Sequence, residues 1–202
     1  QQIDGAFFIH PDPTLLYLTQ QQLSYGLLLV TPREASLYVT KLDQPRPSLG
    51  ITVKPISKDW SKKLSSLKPK VMGINKSSLT VSWLEKMKKI WPTARFVDVS
   101  ETLQQLRQQK TPEELTKITH ACVLTTAAFT ALLKELPKRT LHTEQDVALF
   151  LEKYVVQQGG EWAFPPIVAM GKNAAIPHHV TSSQPLKRGF LLLDFGAKYQ
   201  NY

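Results

Sequence analysis

Apolar positions recur along this chain in two rhythms. The run Gly5-Ala6-Phe7-Phe8-Ile9 predicts a short buried strand within 4–9, and His10-Pro11-Asp12-Pro13 then opens a short helix through Leu15–Leu18. Residues 25–30 and 36–40 read as two strands joined by the turn Thr31-Pro32-Arg33-Glu34. Pro45 and Pro47 break the chain, and 51–56 alternates like a half-exposed strand. A helix near 58–67, a strand at 70–75, a helix at 79–90 and a strand at 95–99 follow. Strands and helices alternating in this way predict an α/β layer of about 100 residues.

A polar connecting helix is expected over 100–109. The clearest local signal comes next, in Thr111-Pro112-Glu113-Glu114: a threonine cap, a proline at the first helical position and a glutamate that completes a capping box. This helix should run to about Leu136, where Pro137 stops it. A second helix starts at Thr143-Glu144-Gln145-Asp146 and ends at Gly159-Gly160. Residues 165–170 and 190–194 then read as strands. The domain boundary falls near 105–110, giving domains of 1–108 and 109–202.

Composition narrows the classes. The 202 residues are 42% apolar and 20% charged, enough to bury a core. No run approaches 18 apolar residues, which argues against a membrane-spanning helix. The one cysteine, Cys122, excludes an internal disulfide and fits a reducing, cytoplasmic compartment. Flanked by Ala121, Val123 and Leu124, it is expected to be a packed core thiol. His120 and His142 lack metal-ligand spacing and are expected to be structural or exposed. The chain opens Gln1-Gln2-Ile3-Asp4 and closes on a strand, a turn and the start of another strand, so a fragment is expected.

The net charge is +9, and most of it sits in one window. Between Lys54 and Lys89 there are ten lysines, two acids (Asp59 and Glu85) and no arginine. Lysines alone lack the bidentate fork that reads base edges. They also fall on the polar sides of two amphipathic segments, so a solvated face is preferred to a nucleic-acid surface.

Candidate chemistry lies between Phe164 and Tyr202. Small residues in Gly171-Lys172-Asn173-Ala174-Ala175 leave room for a ligand beside the backbone, and Pro177 stiffens the approach to His178. Asp194 ends the apolar run Phe190–Leu193, so a mostly buried strand is expected to carry it. A carboxylate there needs a metal, a cation or hydrogen bonds from a turn. If His178 and His179 lie in a strand they point to opposite faces, and at most one serves a given site.

Taken together, Ile167-Val168-Ala169-x-Gly171-x-Asn173-Ala174-Ala175-x-Pro177-His178, then Leu186-x-x-Gly189, then Leu193-Asp194-Phe195-Gly196-Ala197-x-Tyr199-x-x-Tyr202 resembles the pita-bread metallopeptidases. The branch is that of Xaa-Pro aminopeptidases, prolidases and creatinase. Lys110-Thr111-Pro112-Glu113-Glu114 matches the start of that family's catalytic domain, and the first 100 residues are more weakly similar to its creatinase-type N-terminal domain. The resemblance implies an α/β N-terminal domain followed by an α+β pita-bread catalytic domain that is incomplete in this chain. It implies hydrolysis of peptide bonds next to proline, a proline-containing peptide as substrate, no membrane partner and a homodimer.

By the same resemblance Asp194 is the first carboxylate ligand of a two-metal centre of manganese, cobalt or zinc. His178 is the pocket histidine that contacts the scissile region or its transition state. His179 beside it is expected at the pocket rim; Phe164 and Ile167, which the resemblance does not assign, are expected to add apolar walls. In such centres two cations about 3.5 Å apart activate a water and polarise the carbonyl. The family uses two Asp, one His and two Glu ligands, and only the first Asp falls within 1–202. The chain alone is therefore expected to be inactive. A non-catalytic pita-bread module that binds peptides or proteins is the alternative, and a basic nucleic-acid-binding domain is a weaker one.

Overall fold

The computed structural model describes residues 2–45 and 50–202, so Pro47 lies outside the described residues. The chain divides between Gln109 and Lys110 into two compact units.

The first unit is built on β1 (Gly5–Ile9), β2 (Gly26–Val30), β3 (Ala35–Val39), β4 (Ile51–Pro55), β5 (Val71–Ile74) and β6 (Arg95–Asp98). They form one sheet in the order β4-β3-β2-β1-β5-β6. The hairpin pairs β1–β2 and β2–β3 are antiparallel; β3–β4, β1–β5 and β5–β6 are parallel. The helices are α1 (Pro13–Thr19), α2 (Trp60–Ser65), α3 (Val81–Ile90) and α4 (Ser100–Gln108).

Alternation along the strands explains why the first apolar runs are nearly continuous. Phe7, Ile9, Leu27 and Leu29 face one side of the sheet, where Leu64 of α2, Met87 of α3 and Trp91 cover them. Phe8 and Leu28 face the other, against Leu15 of α1 and Leu103 of α4. Strands covered on both faces need apolar side chains at every position. Trp91 locks the first layer: its Nε1 donates to the Leu64 carbonyl at 2.8 Å, and its ring meets Phe7 edge-on at 6.0 Å.

The lysine window lies on outer surfaces. Lys62 and Lys63 occupy the last turn of α2, and Lys88 and Lys89 that of α3, where cations oppose the negative helix end. Lys86 lies over the rings of Trp60 and Trp83 at 4.7 and 4.4 Å. Lys54 donates to Ser36 Oγ at 2.9 Å and sits 3.7 Å from Glu34.

The second unit contains α5 (Pro112–Glu135), α6 (Glu144–Gln157), β7 (Glu161–Trp162), β8 (Ile167–Met170), β9 (Leu191–Asp194) and β10 (Ala197–Lys198). The capping box at Thr111 forms in full, with Thr111 Oγ1 accepting from the Glu114 N–H and Glu114 accepting from the Thr111 N–H. Pro137 does not end the helix abruptly, because Leu136–Lys138 adds a 3-10 turn. Leu124, Ala128 and Leu132 make one stripe of α5, and Val147, Leu151 and Val155 make the facing stripe of α6. Spacings of four residues keep each stripe on one face. By length and composition alone the helical stretch Pro112–Lys138 could cross a membrane, which qualifies the exclusion drawn from apolar runs.

Two expectations are corrected here. Cys122 is exposed, not packed in the core. It sits one residue from buried Ala121, a rotation of about 100° that carries it off the stripe. Asp194 is exposed as well, because only one face of β9 is covered. Leu191 and Leu193 pack on the α5–α6 core, whereas Leu192 and Asp194 share the open face. The apolar run disguised a one-sided strand.

Candidate active site

Strands β8 and β9 pair antiparallel with Ile167 opposite Asp194, Val168 opposite Leu193 and Met170 opposite Leu191. Asp194 therefore stands at one end of a four-residue ladder. Among the described residues its carboxylate has no hydrogen-bond or ion-pair partner, so the turn-type acceptor role weighed from sequence is not taken up. After Asp194 the chain turns away through Phe195-Gly196, and β10 pairs antiparallel with β7 instead of with β9.

Phe164 flanks the same end. A Cβ placed on Gly196 would lie 3.4 Å from Phe164 Cε1, so the missing side chain lets the ring approach. Phe164 is 42% exposed and, with Trp162, Pro165, Pro166 and Leu149, lines a groove of about 700 Å³. Ile167 is half-buried at the start of β8.

The two histidines leave the other end of the ladder. Past Met170 the chain makes a 3-10 turn over Gly171–Ala175, begun by Gly171 at a positive φ of 58°. His178 and His179 then lie in a turn, not in a strand, and their environments differ sharply. His178 is exposed and adopts a φ of 57°, a left-handed conformation that costs a non-glycine residue about 1 kcal/mol or more. His179 points inward, with only 11% of its side chain exposed and its Nε2 2.9 Å from Glu144 Oε2. Three residues of ladder, about 10 Å, separate the strand end carrying Asp194 from the end that leads into this turn.

Glu144 is the residue that sequence reading missed. It is the first residue of α6, directly after the cap Thr143, and it is fully buried. Its Oε1 accepts from the Met170 N–H at 2.7 Å and from Asn173 Nδ2 at 2.9 Å. Its Oε2 takes His179 Nε2, the Ser182 N–H at 3.0 Å and Ser182 Oγ at 2.8 Å. Burial pushes the carboxyl up, but this set of donors outweighs it and holds the pKa down at about 2. Because the ionised carboxylate only accepts, His179 carries its proton on Nε2. The available signal was a glutamate directly after a helix cap, together with hydrogen-bonding side chains at 173, 179 and 182.

Among the described residues no group of three or more His, Cys, Asp or Glu side chains could hold a metal ion. Asp194 offers a single free carboxylate, so the donors present do not by themselves fit a two-metal centre.

Residues 1–109 match the Creatinase/Prolidase N-terminal domain, and residues 116–202 match Metallopeptidase family M24. The chain belongs to the creatinase/prolidase family of metallopeptidases, with the N-terminal domain and part of the M24 domain. Among its relatives is an Xaa-Pro dipeptidase of Pyrococcus horikoshii, 31% identical over 204 residues, covering 98% of this chain and 57% of that protein. The Xaa-Pro dipeptidase of Pyrococcus furiosus is 29% identical over 99% of this chain and 58% of its own length. The prolidase structure from Pyrococcus horikoshii OT3 superposes with a TM-score of 0.86 at 29% identity, over 98% of this chain and 57% of that one. The X-Pro aminopeptidase of Thermotoga maritima shares the fold at a TM-score of 0.88 and 23% identity, over 99% of this chain and 60% of that chain. The chain thus spans less than two thirds of the length of these relatives.

Proposed function

We propose that the protein containing these two units hydrolyses peptide bonds next to proline, as an Xaa-Pro dipeptidase or aminopeptidase dependent on divalent metal. The carrying observation is Asp194: an exposed carboxylate at the end of β9, without a partner among the described residues, within the motif Leu193-Asp194-Phe195-Gly196-Ala197. A side chain that contributes nothing to the packing of its strand is suited to give an oxygen to a cation. Asp194 supplies one donor, and the remaining donors belong to residues outside 1–202. These 202 residues alone are inactive on this reading.

His178 is the pocket histidine in this proposal. Its exposed ring, on a turn held in a strained conformation, is available to a substrate, whereas the Nε2 of His179 is engaged by Glu144. Phe164 forms an apolar wall near the Asp194 end of the ladder. His179, tied to Glu144, supports the turn that carries His178. A manganese, cobalt or zinc pair and a homodimer are carried by the family resemblance. A cytoplasmic setting is supported further by the lone thiol.

The test is hydrolysis of Xaa-Pro dipeptides and longer Xaa-Pro peptides by the full-length protein, with added divalent ions and after chelation. Activity that requires metal and disappears in Asp194→Ala supports the reading. Activity that survives both treatments defeats it.

A further inference from the structure

The segment that carries His178 has little regular structure to hold it. Between Met170 and Ser182 its backbone hydrogen bonds are short-range, such as Ile176 N–H to Asn173 O and His179 N–H to Ile176 O, apart from Gly171 N–H to Phe190 O. Against this stands the buried carboxylate of Glu144, which gathers donors from both flanks of His178. Asn173 binds it from five residues before, His179 from one residue after and Ser182 from four residues after.

The base of this anchor is firm. Gln145 N–H donates to Ser182 O and Glu144 N–H to Gln184 O, both at 3.1 Å, so the start of α6 grips the same segment a second time through its backbone. Met170 N–H, at the end of β8, completes the set of five donors. A helix start requires none of these side-chain contacts, because Thr143 and Asp146 already satisfy its capping box. The carboxylate serves the segment, not the helix.

We propose that Glu144 is a positioning residue of the active site, which clamps residues 170–182 and thereby fixes His178 in its left-handed conformation, ring outward. This deepens the proposed function and rests on the assignment of His178 as the pocket histidine. Glu144 touches no reacting atom; it acts through His179 and the turn. Displacements of about 1 Å at a reacting group cost about 100-fold in rate, so losing such a clamp is read in turnover.

The experiment compares Glu144→Gln with the parent in the full-length protein, using two independent readouts. The first is the three-bond HN–Hα coupling of His178, which reports its φ. The second is kcat against KM on an Xaa-Pro dipeptide. Expected are a changed His178 coupling and a kcat lowered about 10- to 100-fold, with a KM change of less than threefold, well below the unfolding temperature. An unchanged coupling and kcat in a folded Glu144→Gln protein overturns the proposal and leaves Glu144 a stability residue. If Glu144→Gln does not fold, Ser182→Ala and Asn173→Ala each remove donors while the carboxylate stays paired. The same pattern at smaller amplitude supports the clamp, and unaltered coupling and kcat in both overturn it. His178→Ala separates the two readings: full activity there sinks the pocket role of His178, while the coupling still tests the clamp.

Discussion

Tyr202 Oη donates a 2.8 Å hydrogen bond to Glu114, the carboxylate that also closes the capping box at the start of α5. The Thr111 N–H and the Tyr202 hydroxyl together hold the Glu114 carboxyl below the usual range. A residue at the far end of the second unit thus reinforces the first turn of its longest helix. Tyr202→Phe keeps the ring, over which Lys117 Nζ sits at 4.9 Å, and removes only the hydroxyl. The expected loss is about 1 kcal/mol, read as a lower urea midpoint with an unchanged slope.

Asp194→Ala should separate stability from function. Its carboxylate is exposed and has no partner among the described residues, so the unfolding free energy should move by no more than about 0.5 kcal/mol. Metal content and Xaa-Pro hydrolysis of the full-length protein should fall to background. Urea titration, elemental analysis and a dipeptide assay on one preparation check all three.

His178→Ala should retain metal and lose turnover, by about 100-fold or more if the imidazole stabilises charge in the transition state. A variant that loses its metal would instead make His178 a ligand. Metal stoichiometry measured beside kcat distinguishes these outcomes.

The acid stability of the second unit should carry the mark of Glu144. Its folded pKa of about 2 lies below the usual 4.5, so the unfolded chain binds the proton more readily in that interval. Its stabilising contribution is therefore complete above pH 4.5 and is lost as pH falls toward 2, on the order of 3 kcal/mol in all. Urea midpoints measured from pH 6 to 2 should fall less steeply in Glu144→Gln than in the parent.

Periodicity made the first unit almost wholly legible, because its inner strands are covered on both faces, its edge strand β4 alternates and its helices are short and amphipathic. The capping box at Thr111 was equally plain, since its partners lie three residues apart. The exposure of Asp194 was not, because Leu191-Leu192-Leu193 reads the same whether one face of the strand is covered or two. Nor was the role of Glu144, whose donors lie 26 to 38 residues away and converge only once β8 has been laid beside α6. The pair β7–β10 was missed for the related reason that two-residue strands carry no period.

Trp162 stands opposite Ala197 in the β7–β10 pair and meets the ring of Phe195, the neighbour of Asp194, edge-on at 6.1 Å. The other three indoles, at 60, 83 and 91, belong to the first unit. Replacing those three by phenylalanine leaves Trp162 as the one indole of residues 1–202, next to the carboxylate-bearing strand end, so its selectively excited emission reports cation uptake there without a label.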